Sequence, residues 1–126
     1  MVSIKDLKKH KGVDIEKYNG VKSTIQSVEI LEPKTYKFNG VDTEVINLCI
    51  TSKNLADEGE KEFTANELVR LYEDEGVLGF STKAGSKAQK ILTYYKVDDF
   101  EELVGKECLI VKRVTEKGQF LGIQYG

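Results

Sequence analysis

Lysine and aromatic residues alternate in one short segment of the chain, the run K-T-Y-K-F at residues 34–38. A lysine ammonium is a compact positive charge that pairs with phosphate, and an aromatic ring is a flat surface on which a nucleic-acid base can stack. Lys34 and Lys37 supply the charge, while Tyr36 and Phe38 supply the rings. The alternative for both rings is burial in the core, where large aromatic side chains commonly pack.

Other lysines add to this candidate site from two further segments. Lys22 precedes Thr24 and Gln26 on one polar face of a predicted strand, and residues 81–96 carry four lysines and no acid. From this second segment we select Lys83, Lys87 and Lys90 as candidate phosphate contacts. The alternative is an ordinary solvated surface of mixed sign.

The charge distribution restricts the kind of recognition. The net charge is -2, with basic and acidic segments alternating, and 17 of the 19 basic residues are lysine. Because arginine is the usual reader of base edges, a lysine-rich protein is expected to contact the nucleic-acid backbone without reading sequence.

Catalytic and metal-binding patterns are missing from the sequence. His10 is the single histidine, and Cys49 and Cys108 lie in the apolar runs N-L-C-I-T and K-E-C-L-I-V. Thiols in such runs are expected to be reduced core residues, and a zinc site would need about four Cys or His ligands. No phosphate-binding glycine loop or H-E-x-x-H motif occurs. We therefore expect a protein that is not an enzyme and has no cofactor.

Length and hydropathy predict one domain outside the membrane. The chain has 126 residues, close to the commonest domain size, and it lacks an apolar run of the roughly 18 residues that a membrane span requires. The first residues, M-V-S-I-K-D-L-K-K-H-K-G, lack the apolar core of a signal peptide. We expect a soluble cytoplasmic protein.

Hydrophobic periodicity predicts strands at both ends of the chain with helices between them. Strands are predicted over 21–33 and 43–53, with residues 34–38 and the Asn39-Gly40 pair as the hairpin connection between them. The runs C-L-I-V-K-R-V and F-L-G-I-Q-Y predict two more strands. A short strand over 62–64 is expected to lead into an acidic helix over 65–75, with its apolar stripe at Leu68, Leu71 and Tyr72.

A second helix is predicted after Ser86, its N-cap, because the apolar residues that follow have helical spacing. These residues are Ala88, Ile91, Leu92 and Tyr95. The run D-D-F-E-E-L-V-G-K then leads into the first C-terminal strand. The resulting order is three strands, a helical segment and two strands.

This order, together with the sequence of residues 86–126, resembles the single-stranded-DNA-binding proteins with an OB-fold, including small phage and archaeal ones. The resemblance implies a mainly β protein with helices, a five-stranded OB-like barrel carrying an inserted helical segment. The single domain would span residues 1–126, with an N-terminal extension at 1–20 and an acidic helical insertion at 54–80. Single-stranded nucleic acid, with DNA favoured, would lie in a groove formed by Lys22, Lys34, Tyr36, Lys37, Phe38, Lys83, Lys87 and Lys90.

A second hypothesis comes from the acidic residues at 57–75, which would repel phosphate. Such a surface suits a protein partner. The alternative function is therefore a protein-interaction or assembly module, phage- or replication-associated.

Overall fold

The computed structural model describes residues 15–54, 63–116 and 118–126. Within these residues the chain forms two α-helices, one 3₁₀ helix and seven strands. The helices are α1 (Ile15–Tyr18), α2 (Lys87–Tyr95) and the 3₁₀ helix (Phe100–Leu103). The strands are β1 (Lys22–Ile30), β2 (Lys34–Phe38), β3 (Val41–Asn54), β4 (Phe63–Asp74), β5 (Val77–Gly79), β6 (Glu107–Thr115) and β7 (Gly118–Ile123).

All seven strands belong to one antiparallel sheet, whose path runs β5-β4-β3-β1-β6-β7 with β2 paired to β3 beside this path. Strands β1, β3 and β4 pair in chain order, and β6 returns through α2 to lie against β1. This connectivity is a Greek key. The sheet has seven strands in place of the expected five and is not closed, although β7 contacts β4 across the gap.

The core lies between the curved sheet and α2. Its largest fully buried side chains include Ile25 of β1, Ile50 of β3 and Ile110 of β6, and α2 contributes Ile91. All four apolar residues predicted for the inner stripe of α2 are buried. The predicted N-cap is also confirmed, because the backbone N–H of Gln89 donates to the Ser86 hydroxyl at 3.2 Å.

The acidic helix predicted over 65–75 is wrong, because this segment forms strand β4. Alternate residues are buried, namely Ala65, Glu67, Val69 and Leu71, as expected of a strand with one face on the core. Glu67 occupies an inward position in this row, so the apolar alternation is interrupted and imitates a helical stripe. Two residues of that stripe, Leu68 and Tyr72, are instead exposed on the outer face.

Strand β4 continues into β5 through a tight turn. Glu75 and Gly76 both have positive φ, at 51° and 79°, which is the conformation of a two-residue β-hairpin loop. The helical insertion predicted for 54–80 is therefore a pair of strands where the structure describes it. Residues 55–62 lie outside the described residues, as do residues 1–14 of the predicted N-terminal extension.

The turn predicted at Asn39-Gly40 is confirmed. The prediction that residues 34–38 belong to the connection between two strands is wrong, because they form strand β2, which this turn joins to β3. Asn39 and Gly40 adopt φ values of 51° and 79°. The first residues of β3, 41–45, pair with β2, whereas residues 46–54 pair with β4. Strand β3 therefore connects the hairpin to the main sheet without a break, and a side-chain face of the hairpin continues onto the sheet.

Candidate nucleic-acid interface

The two rings of the K-T-Y-K-F segment lie on one face of the β2–β3 hairpin. Tyr36 is opposite Thr43, and Phe38 is opposite Val41. The ring centroids of Tyr36 and Phe38 are 6.2 Å apart and their planes are tilted by 41°. Phe38 is 48% exposed, so burial in the core, the alternative for this ring, does not occur.

The two lysines of the segment point to opposite faces of the hairpin, because strand residues alternate. Lys34 shares the face of the rings, opposite Val45, whereas Lys37 is opposite Asp42 on the other face. The Asp42 carboxylate offers Lys37 a cross-strand partner of opposite charge. The structure therefore brings Lys34, Tyr36 and Phe38 together and separates Lys37 from them.

The face that carries the rings continues along β3 onto the outer face of β4. Asn47 pairs with Arg70, Cys49 with Leu68, and Thr51 with Asn66. The Thr51 hydroxyl donates to Asn66 Oδ1 at 3.0 Å, as expected for side chains on one face. Most core residues of the two strands, including Leu48, Ile50 and Val69, lie on the opposite face. On the outer face Val45 is buried, whereas Leu68 and Tyr72 are exposed to a ligand.

Strand β4 adds a third aromatic residue, Tyr72, which has its own cation. The Arg70 guanidinium carbon lies 5.6 Å from the centroid of the Tyr72 ring, and Tyr72 is 54% exposed. Sequence reasoning missed both residues because it assigned them to a helix. The period-two burial of β4 is the signal that places them outside. We call the set Lys34, Tyr36, Phe38, Arg70 and Tyr72 the aromatic–cationic face.

A groove of about 500 Å³ crosses the outer face beside these residues. Leu31 after β1, Leu68 of β4 and Phe120 of β7 supply apolar lining, and Cys49 and Asn66 supply polar atoms. The paired side chains of Glu67 and Lys87 also line the groove. Leu68 is 43% and Phe120 40% exposed. The groove therefore offers apolar contact to a planar group next to the hydrogen-bonding side chain of Asn66.

The remaining candidate lysines lie on other elements. Lys22 is exposed at the start of β1, Lys83 is exposed before α2, and Lys90 is exposed on α2. Lys87 begins α2, and its Nζ lies 2.8 Å from Glu67 Oε2. Lys87 also lines the groove on the outer face, where the ion pair with Glu67 already holds its ammonium.

Glu67 is the centre of a buried ion network. Its side chain is 2% exposed, and Arg113 Nη2 lies 3.1 Å from Glu67 Oε1 on the side opposite Lys87. The Arg113 guanidinium carbon also lies 4.8 Å from the centroid of the Tyr125 ring. The network joins β4, α2, β6 and the C-terminal residues. It lies where β7 approaches β4, next to Gly122.

The two cysteines differ in their surroundings. Cys108 is buried, as predicted, and this burial raises the pKa of its thiol. Cys49 is a free, half-buried strand thiol, as predicted, but it lies on the outer face and not in the core, with its Sγ 3.7 Å from Asn66 Oδ1. The residue belongs to the groove.

Two further observations concern residues 15–54, 63–116 and 118–126. No group of three or more His, Cys, Asp or Glu side chains among them could hold a metal ion. None of the helices they form is long and apolar enough to span a bilayer.

Comparison with known proteins gives no relative for this chain. No family model matches its sequence, no curated protein matches it, and no solved structure matches its fold.

Proposed function

We propose that this protein binds single-stranded nucleic acid, with DNA favoured, on its aromatic–cationic face. The observation that carries the proposal is the placement of rings and cations on one surface. Tyr36 and Phe38 lie together with Lys34 on the hairpin, and the Arg70–Tyr72 pair lies on the continuation of that face. Rings for base stacking and cations for the backbone are the two components of single-strand binding sites.

The strand order supports an OB-like architecture for this binding protein. The OB-fold is a partly open Greek-key barrel of five strands, and the longer strands here follow the order β4-β3-β1-β6-β7 with a helix before β6. In that fold, ligands contact the face of the second and third strands and the connection between the first two. Here those regions are the outer face of β3 and β4 and the β2 hairpin.

The expected binding energy comes from stacking and from backbone charge. Each base stacked on an aromatic side chain contributes about 1–3 kcal/mol, and any base can stack. Lys34 and Arg70 pair with phosphates. Their contribution falls with salt, because each counterion released into a more concentrated solution gains less free energy. Binding is therefore expected to be tolerant of sequence and sensitive to salt.

The test is a fluorescence-anisotropy titration of a labelled oligo-dT with the wild-type protein at two salt concentrations. Phe38→Ala is compared with Tyr94→Ala, since Tyr94 is a 43% exposed ring on α2, away from the hairpin. We expect binding that weakens with salt and is reduced by about 1–3 kcal/mol in Phe38→Ala alone. An unchanged anisotropy at low salt and high protein concentration would reject the proposal.

A further inference from the structure

A second groove lies between the end of β1, the β4–β5 hairpin and the 3₁₀ helix. Its volume is about 510 Å³, and its lining is mainly apolar. Ile30 is 59% and Leu78 38% exposed, so its apolar wall is open to solvent. The apolar side chains that line it are Val28, Ile30, Leu48, Leu71, Leu78, Phe80 and Phe100.

The charges at this groove are all negative among the lining residues that the structure describes. Asp99 and Glu101 of the 3₁₀ segment line it, and no lysine or arginine does. Glu73 is the cross-strand partner of Leu78, so its side chain lies on the same face of the hairpin as this lining residue. An apolar floor with an acidic rim selects a ligand that is both apolar and cationic.

The bordering strand β5 adds backbone hydrogen-bonding capacity. It ends the path of the sheet, and within the described part of the chain its outer edge has no strand partner. Leu78 and Gly79 of this strand line the groove. An exposed edge next to a side-chain pocket is the arrangement to which an extended peptide segment adds as a further strand.

We propose that this groove binds an extended segment of a partner protein that inserts one or two large apolar side chains between flanking lysines or arginines. The apolar side chains contact Ile30, Leu78 and Phe80, and the cations pair with Asp99 and Glu101. Nucleic acid does not fit this groove, because the same carboxylates repel phosphate.

The groove is separate from the aromatic–cationic face. Alternation along β4 places Tyr72 on the outer face, whereas Leu71 lies on the other face, where it lines the groove. The two surfaces lie on opposite faces of β4 and approach each other at β5, where Tyr72 is the cross-strand partner of Gly79. The proposal does not depend on nucleic-acid binding.

The test uses the peptide K-K-F-L-K-K as the probe and ¹H–¹⁵N correlation spectra of the 126-residue protein as the readout. The control peptides E-E-F-L-E-E and K-K-A-A-K-K remove the cations or the apolar side chains. We expect only the first peptide to shift resonances, and the shifts to concentrate at β5, Ile30 and the 3₁₀ helix. Equal binding of a control peptide, or shifts confined to the aromatic–cationic face, would overturn the proposal.

Two variants locate the site. Ile30→Lys places a cation at an exposed position of the groove, and Val114→Lys makes the same change at a 66% exposed position of β6. We expect the affinity for K-K-F-L-K-K to fall at least about fivefold in Ile30→Lys, and to stay unchanged in Val114→Lys. The spectra of both variants show whether they are folded.

A further variant and two competition measurements exclude other occupants. The double variant Asp99→Asn/Glu101→Gln should reduce the salt dependence of peptide binding, since it removes the acidic rim. Peptide affinity that is unaffected by this variant and by Ile30→Lys contradicts the proposal. If oligo-dT displaces the peptide, the groove belongs to nucleic acid. If sedimentation shows that the protein self-associates and that the peptide dissociates the assembly, the groove belongs to a second copy of the chain.

Discussion

Glu67 Oε2 of β4 lies 2.8 Å from Lys87 Nζ at the first residue of α2, and this contact ties the middle of a strand to the start of the helix. The carboxylate is almost fully buried, while the side chain of Lys87 remains 38% exposed. Arg113 holds the other carboxylate oxygen. A buried carboxylate is tolerated here because two cations compensate for its lost hydration.

Removing this carboxylate should cost more stability than removing either cation. Glu67→Ala leaves two unpaired cations and a cavity, and we expect it to lower the free energy of unfolding by about 3 kcal/mol. This is the lower end of the range for a broken buried ion pair, since both cations can be rehydrated. Lys87→Met should cost about 1 kcal/mol, because Arg113 still pairs with Glu67. Urea unfolding of the two variants measures both values, and equal losses would contradict the central role of Glu67.

Gly122 of β7 should be required for the close approach of the same carboxylate. A Cβ at this position would lie 2.6 Å from Glu67 Oε1 and 3.1 Å from Arg113 Cγ. We expect Gly122→Ala to destabilise the protein by about 1–3 kcal/mol, the usual cost of overpacking. In the Glu67→Ala background the cost should fall below about 1 kcal/mol, because the clashing oxygen is gone. A cost that is the same in both backgrounds would show that the strain arises elsewhere.

The contrast between α2 and β4 shows what the sequence can predict for this fold. Ser86 and the apolar stripe of α2 act within a few residues of one another, so their pattern predicts the helix and its cap correctly. In strand β4 the charged residue Glu67 points inward, and this position is stabilised by the cations Lys87 of α2 and Arg113 of β6. Because these partners are distant along the chain, local periodicity favours a helix and misses the strand.

The candidate site divides in the same way. The Asn39-Gly40 pair predicts the turn, which is present. The sequence predicts that the K-T-Y-K-F segment is a connection whose rings and lysines all reach one ligand, but it forms a strand, so the rings lie together and Lys37 lies on the other face. Lys34 and Lys37 lie on opposite faces because residues 34–38 form a strand, in which side chains alternate. Arg70 and Tyr72 join the candidate site only because β4 pairs with β3, and this long-range pairing cannot be inferred from a local sequence pattern.

Salt dependence should distinguish the two lysines of the hairpin. Lys34 shares the face of the rings, so Lys34→Ala is expected to lower the log–log salt slope for oligo-dT binding by about 0.7, the value for one phosphate contact on a single strand. Lys37→Ala should change the slope less, since Lys37 faces Asp42 on the other side of the hairpin. Anisotropy titrations over a salt series measure both slopes. Equal slopes for the two variants would contradict the one-sided geometry.

Arg70 and Tyr72 should contribute to binding as a stacked pair. Tyr72→Ala is expected to weaken oligo-dT binding by about 1–3 kcal/mol with an unchanged salt slope, because it removes a stacking surface and no charge. Arg70→Lys keeps the charge and loses the planar group, so it should reduce affinity without changing the slope. Arg70→Gln should lower the slope as well. Tyr94→Ala is the matched aromatic control, and a loss of affinity in this variant equal to that in Tyr72→Ala would reject the assignment.

The two thiols should differ in reactivity. Cys49 lies half-buried in the outer groove, whereas Cys108 is buried beneath the sheet. Burial raises the pKa of the Cys108 thiol, so a smaller fraction of this thiol is the reactive thiolate than at an ordinary pKa. We therefore expect a thiol-disulfide reagent to label Cys49 first in the native protein, and to label Cys108 at a comparable rate only in denaturant.

The same reaction tests whether the groove belongs to the nucleic-acid interface. Oligo-dT that covers the outer face should slow the labelling of Cys49, while leaving the slow labelling of Cys108 unchanged. The Cys49→Ser variant identifies which thiol gives the fast phase. Protection should also disappear in Phe38→Ala at oligonucleotide concentrations that saturate only the wild type. If bound oligo-dT leaves the labelling rate of Cys49 unaltered, the ligand follows the hairpin and β4 without entering the groove between Leu68 and Phe120.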